Sequence, residues 1–166
     1  VDDFNNIWIG TRKNSYGLGA GTILKSTYSS ATAPNSSGAT WTGGSPYYSS
    51  YNNRVELACA PSDANLVYAV CSNDGAGDND VAFFATTSNG TTGAFTTMGL
   101  SIPGYYESSV FTHFTRGQAW YDLILAVDPN NKNIVYAGGI DLYKSINGGS
   151  TWSKISNWNT GTSTPY

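Results

Sequence analysis

Leu57-Ala58-Cys59-Ala60-Pro61-Ser62-Asp63-Ala64-Asn65-Leu66-Val67-Tyr68-Ala69 aligns without a gap on Leu125-Ala126-Val127-Asp128-Pro129-Asn130-Asn131-Lys132-Asn133-Ile134-Val135-Tyr136-Ala137, a shift of 68 positions. Leu, Ala, Pro, Asn, Val, Tyr and Ala recur in place. Each copy reads as an apolar strand, a turn opened by proline and closed by asparagine, and a second apolar strand, which is a β-hairpin with its turn chemistry written out. Asn5-Asn6-Ile7-Trp8-Ile9-Gly10 reads as the second half of an earlier copy whose first strand is missing.

A second unit recurs downstream of each hairpin. Ile23-Leu24-Lys25-Ser26-Thr27 leads, after an insertion, to Gly38-Ala39-Thr40-Trp41; Phe83-Phe84-Ala85-Thr86-Thr87 leads to Gly93-Ala94-Phe95; Leu142-Tyr143-Lys144-Ser145 leads to Gly148-Gly149-Ser150-Thr151-Trp152. The closing aromatics Trp41, Phe95 and Trp152 lie 54 and 57 positions apart. Two hairpins per repeat make a four-stranded sheet, and successive four-stranded sheets make a β-propeller. No window sustains apolar residues at i, i+3, i+4, i+7, and Gly or Pro interrupts most stretches long enough to try, so helices are not expected.

Ser145-Ile146-Asn147-Gly148-Gly149-Ser150-Thr151-Trp152 resembles the Asp-box, Ser-x-Asp-x-Gly-x-Thr-Trp, with Asn147 in place of the aspartate. Similar boxes occur in sialidases, family 74 xyloglucanases, sortilin-type receptors and many secreted bacterial propellers. Residues 118–152 look like the repeat of large exported proteins of Bacteroidetes. The physical logic of such a box is a tight hairpin: the Asn or Asp side chain folds back onto backbone N–H groups, glycine supplies positive φ, and tryptophan anchors the turn. Ser145, Asn147, Gly149, Thr151 and Trp152 are therefore structural residues in this reading. The other two boxes are degraded, one split by residues 28–37 and one lengthened around Thr87-Ser88-Asn89-Gly90.

The resemblance implies an all-β chain of about two and a half propeller blades, each of four antiparallel strands. Residues 1–53 are expected to form an incomplete blade with an inserted loop, 54–119 a second blade, and 120–166 a third, incomplete one. Because propellers close only with more blades, the chain is expected to be a fragment, with the rest of the ring supplied by the same or another chain.

Composition narrows the function classes. Only 11% of residues are charged, against about 25% in typical soluble domains. Aromatic residues reach 14% and sit in regularly placed clusters, which excludes a disordered chain. The eight Lys and Arg residues are scattered singly and the net charge is −3, so nucleic acid is excluded as a partner. No stretch approaches the roughly 20 apolar residues of a membrane helix. Val1-Asp2-Asp3 does not open a signal peptide, so an export signal would lie upstream or have been removed. Cys59 and Cys71 fall on neighbouring strands several positions out of register; two thiols, or a disulfide across a bulge, both remain open.

A sialidase resemblance would demand an arginine triad and a Tyr/Glu pair; Arg12, Arg54, Arg116, Glu56 and Glu107 supply the types but not the spacing, and loop-anchoring arginines are the plainer account. A xyloglucanase-type hydrolase would use two carboxylates across a cleft, for which Asp122 and Glu107 are the candidates; a strand-capping or loop-bonding Asp122 is the plainer account. The lone His113 gives no zinc site. Asp74, Asp78 and Asp80 concentrate oxygen donors in a Gly-rich loop that would suit calcium, without the order of an EF-hand; no cofactor is otherwise implied.

Aromatics between the repeats form the last constellation. Tyr47, Tyr48 and Tyr51 flank one insert and Tyr105, Tyr106, Trp120 and Tyr121 another. Such rings stack on sugar faces or give low-entropy contacts to a protein partner. Trp120, Tyr121, Tyr105, Tyr106 and Arg116 are thus the expected ligand contacts of a secreted or cell-surface binding or scaffolding propeller that takes a glycan or protein ligand. The alternative is a glycoside hydrolase whose carboxylates lie partly outside this segment; a purely structural stalk is the third reading.

Overall fold

Short apolar runs punctuated by Gly, Pro and Asn leave nothing long enough for a helical face, and the chain is antiparallel β almost throughout. A computed structural model describes residues 6–12, 21–27, 40–44, 52–73, 80–86, 95–97, 114–115 and 118–156. Strands β1 (Trp8–Gly10), β2 (Ile23–Thr27) and β3 (Thr40–Gly44) form a three-stranded sheet. Strands β4 (Asn52–Cys59), β5 (Val67–Asn73), β6 (Asp80–Thr86) and β7 (Phe95–Thr97) form a four-stranded sheet. After the one-turn helix α1 (Ala119–Asp122), strands β8 (Ile124–Val127), β9 (Val135–Gly138), β10 (Leu142–Ser145) and β11 (Ser153–Lys154) form another. In every sheet the strands lie in sequence order, the meander of a propeller blade.

The duplicated hairpins repeat bond for bond. In the first, Ala60 N donates to Leu66 O at 3.0 Å and Leu66 N to Asp63 O at 2.9 Å; 68 positions on, Asp128 N donates to Ile134 O at 2.9 Å and Ile134 N to Asn131 O at 3.0 Å. The side chain at the turn also repeats: Asp63 Oδ1 accepts from Asn65 N at 3.1 Å, and Asn131 Oδ1 from Asn133 N at 3.0 Å. Asp and Asn suit this place because their short side chains replace a backbone partner two residues on. The Asp128 carboxylate braces the second turn further, accepting from Asn130 N and Asn131 N.

Packing follows from the strand period. Successive residues of β5 point to opposite faces, yet Val67 through Cys71 are all buried, so both faces of this sheet are covered. Val55, Val67, Ala69 and Cys71, with Leu57 and Cys59, pack on Trp8 and Ile23 of the preceding sheet. Leu66, Tyr68 and Val70 pack the other way, on Val135, Ala137, Tyr143 and Trp152 of the following one, with Leu125 and Val127 beside them. Leu57, Cys59, Val67 and Ala69 align with Leu125, Val127, Val135 and Ala137, so equivalent residues of successive copies face the preceding blade. Strand β4 touches both β1 and β8, which sets the three sheets in succession. The chain is therefore a run of consecutive blades from a β-propeller.

The structure departs from the sequence reading at several points. Residues 119–122 form α1 where no helix is expected; Tyr121 N and Asp122 N both donate to Gln118 O, and one turn is too short to leave a 3.6-residue period. Segment 120–166, expected to be an incomplete blade, carries four paired strands. Cys59 and Cys71 are not bridged to each other: in the β4–β5 ladder they face Val67 and Val55, four positions out of register, as their spacing implies. Tyr47, Tyr48, Tyr51, Asp74, Asp78, Tyr105, Tyr106, Glu107, His113 and Arg116 lie outside the described residues.

Candidate functional site

The site begins with a strand that serves two sheets. Thr11, just beyond β1, donates its N–H to Thr22 O at 3.0 Å and accepts at its carbonyl from Val55 N at 3.1 Å. Its hydroxyl oxygen accepts from Thr22 N at 2.9 Å, fixing the turn into β2. Arg12 then pairs with Arg54 across an isolated antiparallel bridge. The close approach depends on Gly10, because a Cβ there would stand 2.3 Å from the Val55 carbonyl oxygen. In the aligned copies this place holds Ala69 and Ala137, so the glycine is the sequence mark of the junction.

A register shift between Asn52 and Val55 completes the arrangement from the other side. Such a bulge re-aims the side chains beside it. Arg54 N donates to Ser72 Oγ at 3.1 Å, its Nε donates to Glu56 Oε1 at 2.6 Å, and its Nη1 donates to the carbonyl oxygen of Tyr121 in α1. Gly10, Thr11, Arg12, Arg54, Val55, Glu56 and Tyr121 line an open cleft of about 400 Å³. Tyr121 of this lining is 67% exposed and its neighbour Trp120 41%, with ring centroids 5.6 Å apart and planes tilted by 52°.

Asp122 follows directly, and it occupies the place of Arg54 in the next copy of the repeat. Both carboxylate oxygens are buried and, among the described residues, bond to no other residue, contrary to the loop-bonding role expected. Gly139 lies so close that a Cβ there would stand 2.9 Å from Asp122 Oδ1. Burial pushes the Asp122 carboxyl above its ordinary value of 3.8, and a backbone hydrogen bond and the Arg54 charge pull it only partly back. The shift favours the proton-carrying form relative to an exposed aspartate.

Residues 145–152 build a separate, closed feature. Ser145 Oγ accepts from Gly149 N at 2.8 Å and Asn147 N at 3.3 Å, and donates to Asn147 Oδ1 at 3.0 Å. Asn147 Oδ1 accepts from Thr151 N and its Nδ2 donates to Thr151 Oγ1, both at 2.9 Å. Gly148 and Gly149 take φ of 68° and 91°, and the buried Trp152 donates its indole N–H to Gly149 O at 3.0 Å. Every polar group named here is used internally, so the loop braces its own turn.

The structure therefore brings Trp120, Tyr121 and Asp122 together with Arg54 and Arg12. Asp80 begins β6. Among the described residues no group of three His, Cys, Asp or Glu could hold a metal ion, and no helix is long and apolar enough to cross a membrane. Arg12 and Arg54 are visible in the sequence as isolated arginines, but only the long-range bridge shows that they share a cleft.

No protein-family model matches the chain, and no curated protein does. Among solved structures it is similar to the crystal structure of the GH74 enzyme of Niastella koreensis, at 29% identity over 65% of this chain with a TM-score of 0.41. The match spans 15% of that enzyme's chain.

Proposed function

We propose that the chain is a saccharide-binding portion of a propeller on an exported, secreted or cell-surface protein, with residues 145–152 serving as an Asp-box brace and the cleft beside α1 as the contact surface. The observation that carries this reading is the exposed Trp120–Tyr121 pair, of which Tyr121 lines a cleft whose walls are fixed by backbone hydrogen bonds. Large aromatic side chains seldom stay exposed in pairs without use, and their flat faces stack on the C–H faces of sugar rings. The low charge content and the Gly-rich turns suit an exported scaffold.

The experiment is retention of the protein on immobilised plant and host glycans, compared with Trp120→Ala and Tyr121→Ala. Retention lost in both variants with unchanged melting supports the reading; retention unchanged in both rejects it. A second reading, a glycoside hydrolase with other carboxylates supplied from elsewhere, draws on Asp122, since a carboxyl whose pKa is raised by burial is the kind of group a general acid requires. Release of new reducing ends, abolished by Asp122→Asn, would favour it over binding without turnover.

A further inference from the structure

Arg12 and Arg54 face each other across an antiparallel bridge and both line the same cleft. Like charges directly opposite one another across strands are destabilising, so a fold that keeps two guanidiniums there needs something to offset them. Glu56 offsets one: its Oε1 accepts from Arg54 Nε at 2.6 Å. Arg12 is exposed and has no ion pair among the described residues. The lining charges, two arginines and one glutamate, thus leave the cleft one positive charge in excess.

The arginines are also prepared differently. Arg54 is held at three points, by Ser72 Oγ on its backbone, by Glu56 and by the Tyr121 carbonyl, which spends two of its five side-chain N–H groups and leaves three. A guanidinium fixed in this way loses little freedom when a further oxygen arrives. The neighbouring Asp122 carboxyl, whose pKa burial raises, is not among the residues that line the cleft. Neutral sugars can accept only ordinary hydrogen bonds from these groups, whereas an oxyanion gains stronger charge-assisted ones in a partly sheltered place.

We infer that the cleft selects acidic saccharides, taking the carboxylate or sulfate oxyanion of a sugar between Arg12 and Arg54 while the ring rests on Tyr121. This rests on the saccharide-binding reading and specifies its ligand class. Arg12 supplies the uncompensated charge, Arg54 the preset fork, and Gly10 the strand approach that puts them together.

The test is calorimetric titration of the protein with four probes: tetragalacturonate, its fully methyl-esterified form, a sulfated carrageenan tetrasaccharide and cellotetraose. At least one acidic probe should bind on the order of tenfold tighter than the methyl ester and cellotetraose, since a charged hydrogen bond lost to the ester is worth about that factor. Which acid binds tells carboxylate from sulfate. Arg12→Gln should remove that preference, while Lys144→Gln, which deletes the same charge on β10, should keep it. Raising the salt should weaken the acidic probes and leave the neutral ones unchanged. Equal affinity for neutral and acidic probes would overturn the inference and leave saccharide binding standing; a preference that survives Arg12→Gln would also overturn it; binding of none of the four would overturn both.

Discussion

The Tyr68 hydroxyl donates a 3.0 Å hydrogen bond to the Lys132 carbonyl oxygen, 64 residues further along the chain. Tyr68 belongs to β5 and Lys132 to the turn between β8 and β9, so this bond spans two blades. Beside it Lys132 Nζ lies 2.7 Å from Asp63 Oδ2, the carboxylate whose other oxygen fixes the first hairpin turn. Gly148 N donates to Asn133 O at 2.8 Å, tying the 145–152 brace to the same turn. One buried tyrosine thus meets the hairpin of the next copy at the point where that copy's own brace docks.

Tyr68→Phe removes the hydroxyl but keeps the ring in the core. The Lys132 carbonyl is near solvent and can turn to water, so the expected cost is about 1 kcal/mol, or roughly 2–4 °C in melting temperature. Thermal unfolding followed by near-UV circular dichroism measures it. Lys132→Ala should cost less, because its ion pair with Asp63 is partly exposed and worth only about 0–1 kcal/mol.

In the brace, Asn147→Ala leaves Thr151 N and Ser145 Oγ short of an acceptor and should destabilise by about 1–2 kcal/mol. Asn147→Asp keeps both acceptor bonds, and Thr151 Oγ1 can turn to donate, so it should fall within about 0.5 kcal/mol of the parent. Trp152→Ala empties a core position and should cost about 3–5 kcal/mol. Denaturant unfolding of the three variants would show this order.

Gly10→Ala sets a Cβ against a backbone carbonyl that cannot swing aside. The expected result is separation of Thr11 and Arg12 from β4, a cost of about 1–3 kcal/mol, and loss of the cleft. Hydrogen exchange at Val55 N, which donates to Thr11 O, should accelerate selectively, while exchange within β8–β10 stays unchanged.

Asp122 and Asp63 should give stability opposite pH dependences. Asp122 has a raised carboxyl, so the native state holds its proton at pH values where the unfolded chain has released it; stability falls as pH rises above about 3.8 through the raised value. Asp122→Asn should abolish that decline and make the protein more stable than the parent at neutral pH. Asp63 has a lowered carboxyl, chiefly through the Lys132 hydrogen bond, so its contribution is present above 3.8 and disappears as pH falls through the lowered value. Melting curves of parent, Asp122→Asn and Asp63→Asn between pH 3 and 8 would separate the two.

The hairpins were legible because their information is local. Pro61 and Pro129 open the turns, Asp63 and Asn131 bond two residues ahead, and the apolar runs alternate with the pleat. The Ser145-to-Trp152 loop was legible for the same reason, since nearly all of its bonds close within eight residues. The cleft was not, because Arg12 and Arg54 are joined only through β1 leaving its own sheet for β4, and nothing near either residue encodes that meeting. Asp122 was marked as a candidate by its residue type, but its burial comes from Gly139 and from α1, which one turn of sequence cannot announce. Trp120 and Tyr121 were singled out in the sequence as expected ligand contacts and are exposed, whereas the tie between the Tyr121 backbone and Arg54 was invisible.

The most direct measurement is a nuclear Overhauser contact between the Tyr68 ring and the Gly148 α-protons in the assigned protein. Tyr68 Oη lies 3.1 Å from where a Gly148 Cβ would stand, so stacked blades predict a strong cross-peak, accompanied by contacts from Val70 to Tyr143 or Trp152. Assigned spectra that lack these contacts and instead join β5 to a continuous single sheet would contradict the account.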